Sequence, residues 1–140
     1  MRILILEDDP FIALDLQAIV EAEGHVASVC ASVAEARRWL DDDIDFALLD
    51  VDVRDGKSFE VALAFQERAV GFAFVTGSKR SEIPAALSCA GFVAKPFLEE
   101  AIVVDQSIGW AKRRAGRCRE STVIDMHMTI ARVRRRFRTR

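Results

Sequence analysis

Short apolar runs that end in polar residues are the feature that most constrains the fold of this chain. The clearest is Phe46-Ala47-Leu48-Leu49, which leads directly into Asp50. Four consecutive apolar residues with an acid on each side are typical of a strand buried on both faces of a parallel sheet. Asp50 is then predicted at the carboxyl end of that strand, where open α/β sheets gather their chemistry. Taken alone, Asp50 fits equally well as the first residue of a turn.

The rest of the chain alternates such runs with segments of helical spacing. Strands are predicted at residues 3–6, 26–30, 46–49, 72–75 and 92–94. Helices are predicted from Pro10 to a stop at Gly24, over 33–41, over 59–69, over a short stretch within 83–89, and over 97–113. Five such units predict an α/β fold with a doubly wound, five-stranded parallel sheet. Right-handed crossovers favour the flavodoxin-like strand order 2-1-3-4-5.

The first two helices carry clear start signals. Asp9 is a good N-cap, Pro10 suits the first helical position, and Gly24 is a typical residue after a helix end. Ser32 with Glu35 forms the sequence of a capping box, in which each residue satisfies a backbone N–H near the helix start. The sequence therefore predicts that these helices begin directly after Asp9 and Ser32.

Charge divides the chain into two parts. Residues 1–110 hold 9 basic and 20 acidic residues, whereas residues 111–140 hold 11 basic and 2 acidic residues. A length of 140 residues suits one domain with one core. We predict a globular domain over residues 1–113 and a basic C-terminal extension over 114–140, either an amphipathic helix or disordered.

Nothing in the composition indicates a membrane or secreted protein. No apolar stretch approaches the ~20 residues that a membrane span needs, and Met1-Arg2 leads directly into a strand rather than a signal peptide. We expect a cytoplasmic protein. Cys30, Cys89 and Cys118 are odd in number and form no CxxC pair, so neither a disulfide framework nor a zinc site is expected.

Polar residues stand at the carboxyl ends of four predicted strands. They are Glu7 and Asp8 on the first, Asp50 on the third, Thr76 on the fourth and Lys95 on the fifth. Each has a structural alternative by itself, since an acid can cap a helix, a threonine can end a strand and a lysine can solvate a loop. Together they are the parts of a phosphoryl-transfer site, with Asp50 as the nucleophile and Thr76 and Lys95 contacting phosphoryl oxygens.

The acids predict a metal site. In the order 2-1-3-4-5 the first and third strands are neighbours, so Glu7, Asp8 and Asp50 converge. Three close carboxylates repel one another unless a hard divalent cation binds them, and Mg²⁺ prefers oxygen ligands. Mn²⁺ is an alternative ion, and the backbone carbonyl of Asp52 is a candidate further ligand.

At this point the sequence resembles the receiver domains of bacterial two-component response regulators, over Met1 to roughly Arg113. The resemblance rests on four motifs with specific spacing: Leu6-Glu7-Asp8-Asp9-Pro10, Leu48-Leu49-Asp50, Phe74-Val75-Thr76-Gly77 and Ala94-Lys95-Pro96-Phe97. It implies that Asp50 accepts a phosphoryl group from a phosphohistidine on a sensor histidine kinase or phosphotransfer protein. It also implies that Phe92 is the aromatic switch residue and that the Lys95–Pro96 peptide bond is cis.

The resemblance implies a signalling function. With no second catalytic domain in 140 residues, we expect a single-domain response regulator that acts through phosphorylation-dependent protein binding or as a phosphorelay. Such a regulator is not a classical enzyme, beyond Mg²⁺-dependent self-phosphorylation and autodephosphorylation. Its downstream target is not identified by the sequence, and a homodimer is a further candidate assembly.

Two features depart from the usual receiver pattern. The loop at 51–56 lacks the Met-Pro pair often found there, and 18 residues separate Thr76 from Lys95, fewer than in many receivers. The fourth helix is therefore expected to be short or irregular.

A phosphatase of the haloacid dehalogenase type is the alternative reading. Asp50-Val51-Asp52 resembles the DxD motif of that family, in which Asp52 would be the general acid. Against it, that family usually opens with its DxD strand, whereas here two βα units come first.

The extension has its own pattern. Val123, Met126, Ile130, Val133 and Phe137 fall at a and d heptad positions, and six of the last ten residues are Arg. We expect this segment to bind an acidic surface, on its own domain or on a dimer mate. Nucleic-acid binding by the Arg-rich segment is a minor alternative.

Overall fold

Five parallel strands form the central sheet in a computed structural model that describes residues 1–88, 90–97 and 102. The sheet strands are β1 (Arg2–Leu6), β2 (Val26–Cys30), β3 (Phe46–Leu49), β6 (Gly71–Thr76) and β7 (Gly91–Ala94). Two short strands, β4 (Asp52–Val53) and β5 (Gly56–Lys57), form a separate antiparallel hairpin. The helices are α1 (Pro10–Ala22), α2 (Val33–Arg38) and α3 (Phe59–Glu67).

The strand order confirms the prediction from the sequence. The sheet runs β2-β1-β3-β6-β7, which is the order 2-1-3-4-5 when only the sheet strands are counted. All four strand pairs are parallel. Leu6 of β1 pairs with Leu49 of β3, so the residues that follow them, Glu7 and Asp50, leave the sheet side by side.

The inner strands β1, β3 and β6 are buried on both faces, as their continuous apolar runs predict, whereas the edge strand β2 is partly exposed. One face carries Ile3, Ile5, Phe46 and Leu48 against α1, in a cluster that also contains Ile102. The opposite face packs Leu4, Leu6, Ala47, Leu49 and Phe74 against α2 and α3. Residues at alternate positions of one strand thus fill two different cores.

Helix α1 begins and ends as predicted. The Asp9 side chain accepts hydrogen bonds from the N–H groups of Phe11 and Ile12, and Pro10 is the first helical residue. At the other end Gly24 has a φ of 87°. Its N–H donates to the Glu21 carbonyl, and the next N–H donates to the Val20 carbonyl. This is the Schellman arrangement, in which glycine adopts a left-handed conformation at low cost.

Helix α2 corrects two expectations. It ends at Arg38, three residues before the predicted end. The Ser32 hydroxyl accepts from the Glu35 N–H, but the Glu35 carboxylate accepts from the N–H of Ala31 rather than that of Ser32. The Glu35 half of the capping box is therefore shifted by one residue. The next two N–H groups of the helix start, those of Val33 and Ala34, donate to the Asp55 carboxylate.

The connection between β6 and β7 is short and irregular, as the spacing predicted. Two 3₁₀ turns, Arg80–Glu82 and Ala85–Leu87, replace an α-helix there. Helix α3 ends at Glu67, two residues before the predicted end. Of the predicted last helix only Phe97 and Ile102 lie within the described residues, and the extension over 114–140 lies outside them, so both stay predictions.

Among the residues that the structure describes, no helix is both long and apolar enough to cross a membrane.

Candidate functional site

Strand register brings two carboxylates together at the carboxyl edge of the sheet. The Asp50 N–H donates to the Leu6 carbonyl at 2.9 Å, and the Glu7 N–H donates to the Cys30 carbonyl at 3.0 Å. Glu7 and Asp50 are both buried, with exposed fractions of 2% and 8%. Asp8 follows Glu7 and is half-buried. Two neighbouring strands therefore deliver acids to one place, as the sequence predicted.

Lys95 directly follows the edge strand β7, and its side chain reaches back to these acids. Its ammonium Nζ donates to Glu7 Oε2 at 2.5 Å and to Asp50 Oδ2 at 2.9 Å. Its backbone N–H donates to the Thr76 carbonyl at 2.9 Å, which holds the residue at the end of β6 and β7. The Lys95–Pro96 peptide bond is cis, as the resemblance implied.

Burial and mutual hydrogen bonds shift the pKa values of Lys95 and Glu7. Burial by itself would lower the pKa of Lys95, but hydrogen bonds to Glu7 and Asp50 outweigh it, so the Lys95 pKa is raised and the ammonium form is favoured. Burial raises the pKa of Glu7, while hydrogen bonds from Lys95 and from the Asp9 N–H oppose that rise. Lys95 thus supplies positive charge that two buried carboxylates require.

The same acids fit a divalent cation. Glu7, Asp8 and Asp50 each offer one carboxylate oxygen, and these three atoms lie within 4.8 Å of one another. Oxygen-only ligands with a net negative charge suit a hard ion such as Mg²⁺. The described acids are therefore compatible with magnesium, with part of the coordination left to other oxygens.

Thr76 and Asp50 line one open cavity of about 460 Å³. Thr76 is the last residue of β6 and is buried, and its hydroxyl oxygen accepts from the Ser78 N–H at 3.1 Å. The full lining consists of Asp50, Asp52, Lys57, Thr76, Gly77, Ser78, Lys79 and Glu82. The lining thus combines three acids with two lysines and the hydroxyl groups of Thr76 and Ser78.

Comparison with known proteins places this arrangement in a family. No family model matches the chain. TorR, the TorCAD operon transcriptional regulatory protein of Escherichia coli, is 32% identical over 115 residues, which cover 78% of this chain and 50% of TorR. The chain therefore spans about half the length of this curated relative.

Solved structures are similar to this chain over about four-fifths of its length. SdrG from Sphingomonas melonis Fr1 is 32% identical, with a TM-score of 0.67 over 79% of this chain and 95% of SdrG. A CheY-like response regulator receiver domain protein from Methanospirillum hungatei has a TM-score of 0.70 at 22% identity, over 81% of this chain and 97% of that one. The chain belongs to the response regulator receiver domains. Members of this family are regulators in two-component signalling rather than classical enzymes.

The receiver domain holds one charged network that the sequence did not predict. The Asp52 carboxylate forms an ion pair with Lys57 Nζ and accepts a hydrogen bond from Ser78 Oγ at 2.9 Å. Both bonds lower the Asp52 pKa. Sequence reasoning named Asp52 only for its backbone carbonyl, which stays a prediction. The hairpin loop is Arg54-Asp55, because Val53 pairs with Gly56 and Asp52 with Lys57. The Asp55-Gly56 pair is a hairpin signal, but as a two-residue loop it would place Arg54 rather than Asp52 opposite Lys57.

Phe92 does not line the cavity that contains Asp50 and Thr76. It pairs with Phe74 in the β6–β7 register, two residues before the pairing of Thr76 with Ala94. The ring is half-buried, and the Arg80 guanidinium lies 5.7 Å from its centroid. Both residues line a second cavity of about 60 Å³. Phe92 is thus one strand away from Thr76 and in contact with the irregular segment before β7.

Proposed function

We propose that this receiver domain accepts a phosphoryl group on Asp50 from a phosphohistidine of a sensor histidine kinase or phosphotransfer protein. The observation that carries the proposal is the double contact of Lys95 Nζ with Glu7 and with Asp50, which lines the same cavity as Thr76. A cation, a hydroxyl and a carboxylate with an open approach are what phosphoryl transfer to an acid requires.

In the proposed reaction an Asp50 carboxylate oxygen attacks the phosphorus of the donor. An O–P bond forms, the P–N bond breaks, and the electron pair of that bond stays on the imidazole nitrogen. Lys95 turns from the Asp50 carboxylate to the phosphoryl oxygens, and the Thr76 hydroxyl donates to one of them. Glu7, Asp8 and Asp50, with the Asp52 carbonyl, would hold Mg²⁺ or Mn²⁺. The bound ion supplies charge neutralisation for the incoming phosphoryl group.

The output we propose is phosphorylation-dependent binding of another protein, or relay of the phosphoryl group. Thr76 and Phe92 would report the state of Asp50, because they occupy neighbouring strands and Phe92 lies beside the segment that follows Thr76. We keep residues 1–113 as the receiver and 114–140 as the basic extension. The cytoplasmic location and a homodimer stay predictions.

The pKa of Asp52 argues against the alternative hypothesis of a haloacid-dehalogenase-type phosphatase. A general acid at neutral pH needs a raised pKa, whereas the bonds from Lys57 and Ser78 lower the Asp52 pKa. The Asp50 strand is also the third in the chain rather than the first.

Phosphotransfer from a panel of phosphorylated histidine kinases tests the proposal. We expect at least one kinase to label the protein when Mg²⁺ is present, and excess EDTA to stop the labelling. Asp50→Asn should abolish it, whereas the matched variant Asp52→Asn, two residues away, should still be labelled. Labelling of Asp50→Asn at the wild-type level would refute the assignment of the acceptor.

A further inference from the structure

The solvent-facing side of helix α1 is apolar. Phe11 is 79% exposed and Leu14 is 61% exposed, and they are the two most exposed large hydrophobic residues of α1. Ala18 and Ala22 are also exposed, and the spacing of these four residues places them along one stripe of the helix. The buried side of α1 carries Ala13, Leu16 and Val20 instead. The helix is therefore apolar on the face that the described residues leave uncovered.

Acids border this stripe. Asp15 and Glu21 are both exposed on α1, and the helix contains no basic residue. By helical spacing Asp15 lies on one side of the stripe, beyond Phe11, and Glu21 lies on the other side, beyond Leu14. A segment that combines apolar residues with arginines would match both features of this surface.

The chain itself contains such a segment. In residues 114–140 the apolar residues Val123, Met126, Ile130, Val133 and Phe137 recur at heptad spacing, and arginines occupy many positions between and around them. The region from 111 onward holds 11 basic and 2 acidic residues. The segment thus combines apolar residues with positive charge, and the outer face of α1 combines apolar residues with negative charge.

Ile102, the last residue that the structure describes, lies on the same side of the sheet as α1. Ile102 is 2% exposed and belongs to the hydrophobic cluster that contains Leu16 and Val20 of α1. Residues 103–140 therefore continue from a point on the α1 side of the sheet. The outer face of α1 lies on this same side of the sheet.

We propose that residues 114–140 dock on the outer face of α1 of the same molecule. The apolar positions of the segment cover Phe11 and Leu14, and its arginines lie near Asp15 and Glu21. Burial of two large exposed side chains supplies the attraction, and the paired charges set the orientation.

Hydrogen exchange on the full-length protein tests the docking. We expect the backbone amides of 114–140 to exchange about tenfold or more slowly than unprotected amides. The double variant Phe11→Ser/Leu14→Ser should remove that protection. Because neither Phe11 nor Leu14 belongs to the described core clusters, the backbone amides of β1 and β3 should stay protected in this variant. The control Val26→Ser/Leu63→Ser changes two exposed apolar residues elsewhere and should leave the protection in place.

Charge reversal tests the second half of the proposal. Asp15→Lys/Glu21→Lys should weaken the protection, and so should salt at about 0.5 M, where screening is strong. The matched variant Asp42→Lys/Asp43→Lys reverses two exposed acids in the loop before β3 and should have no such effect. Protection should not depend on protein concentration.

Several results would overturn the proposal. One is an unprotected segment in the wild type. Others are protection that survives Phe11→Ser/Leu14→Ser, and protection that Asp42→Lys/Asp43→Lys removes as effectively as Asp15→Lys/Glu21→Lys. Protection that appears only as the concentration rises would mean docking on a second copy of the chain or on another molecule.

Discussion

Lys95 Nζ lies 2.5 Å from Oε2 of Glu7, a residue 88 positions earlier in the chain whose side chain is 1% exposed. The lysine side chain is itself only 16% exposed. A pair this deeply placed is expensive to break, because the partner that remains is a buried charge without compensation. Removing Lys95 alone should therefore leave Glu7 as an uncompensated buried carboxylate.

We predict that Lys95→Met, in EDTA, lowers the free energy of unfolding by about 3–5 kcal/mol, because it leaves Glu7 without its cation. Adding Glu7→Gln should recover part of that loss, since the double variant has no isolated charge at Glu7. Urea unfolding of the wild type, both single variants and the double variant measures the coupling. If the two single losses simply added, the ion pair would not be the source of the effect.

Mg²⁺ affinity should distinguish the candidate metal ligands from Thr76 and Lys95, which we propose contact the phosphoryl group. Glu7→Gln, Asp8→Asn and Asp50→Asn should each weaken Mg²⁺ binding by about tenfold or more, because each removes a candidate carboxylate ligand. Thr76→Ala should leave the affinity unchanged, and Lys95→Met should not reduce it. Isothermal titration calorimetry with Mg²⁺ measures all five variants. A loss of affinity in Thr76→Ala equal to that in Asp8→Asn would contradict this division of roles.

Asp55 has a role in stability that depends on pH. Its carboxylate accepts hydrogen bonds from the backbone N–H groups of Val33 at 2.6 Å and Ala34 at 3.0 Å, which ties the β4–β5 hairpin to the start of α2. These bonds lower the Asp55 pKa. A lowered folded pKa means that the contribution is present above the unfolded value of about 3.9 and is lost as the pH falls through the folded value.

We therefore predict that Asp55→Ala is less stable than the wild type from pH 7 to about 5 and that the difference shrinks below about pH 4. Urea unfolding at several pH values measures it. Asp43→Ala, an exposed acid in the loop before β3, is the control and should show no such convergence. A difference for Asp55→Ala that stayed constant into the acid range would mean that ionisation of Asp55 does not matter.

The contact of Asp55 with the start of α2 could not be predicted from the sequence. The strands, the order of the sheet and the convergence of Glu7, Asp8 and Asp50 follow from apolar runs and strand topology, which depend on local pattern. The caps of α2 combine Ser32 with Asp55, 23 residues later, and no local pattern records that contact. The Asp52–Lys57–Ser78 network likewise joins the β4–β5 hairpin to the loop after β6, and these two segments are neighbours only in the folded chain.

Helix ends provide the last prediction, because α1 and α3 end in the same way with different residues. Gly24 after α1 has a φ of 87°, and Ala69 after α3 has a φ of 55°. The Ala69 N–H donates to the Gln66 carbonyl and the Val70 N–H donates to the Phe65 carbonyl. Both helices thus have the Schellman hydrogen bonds, but only α1 has the glycine that this conformation favours. A non-glycine residue there costs about 1–2 kcal/mol.

Ala69→Gly should therefore raise the free energy of unfolding by up to about 1 kcal/mol, after the larger conformational entropy of glycine in the unfolded chain is counted. Gly24→Ala should lower it by about 1 kcal/mol. Apart from its two chain neighbours, no described residue has an atom within 4 Å of the added Cβ, so the expected cause is φ. Ala18→Gly, an exposed position within α1, is the control and should lose about 1 kcal/mol. If Ala69→Gly lost as much stability as Ala18→Gly, the left-handed conformation of Ala69 would not be a source of strain.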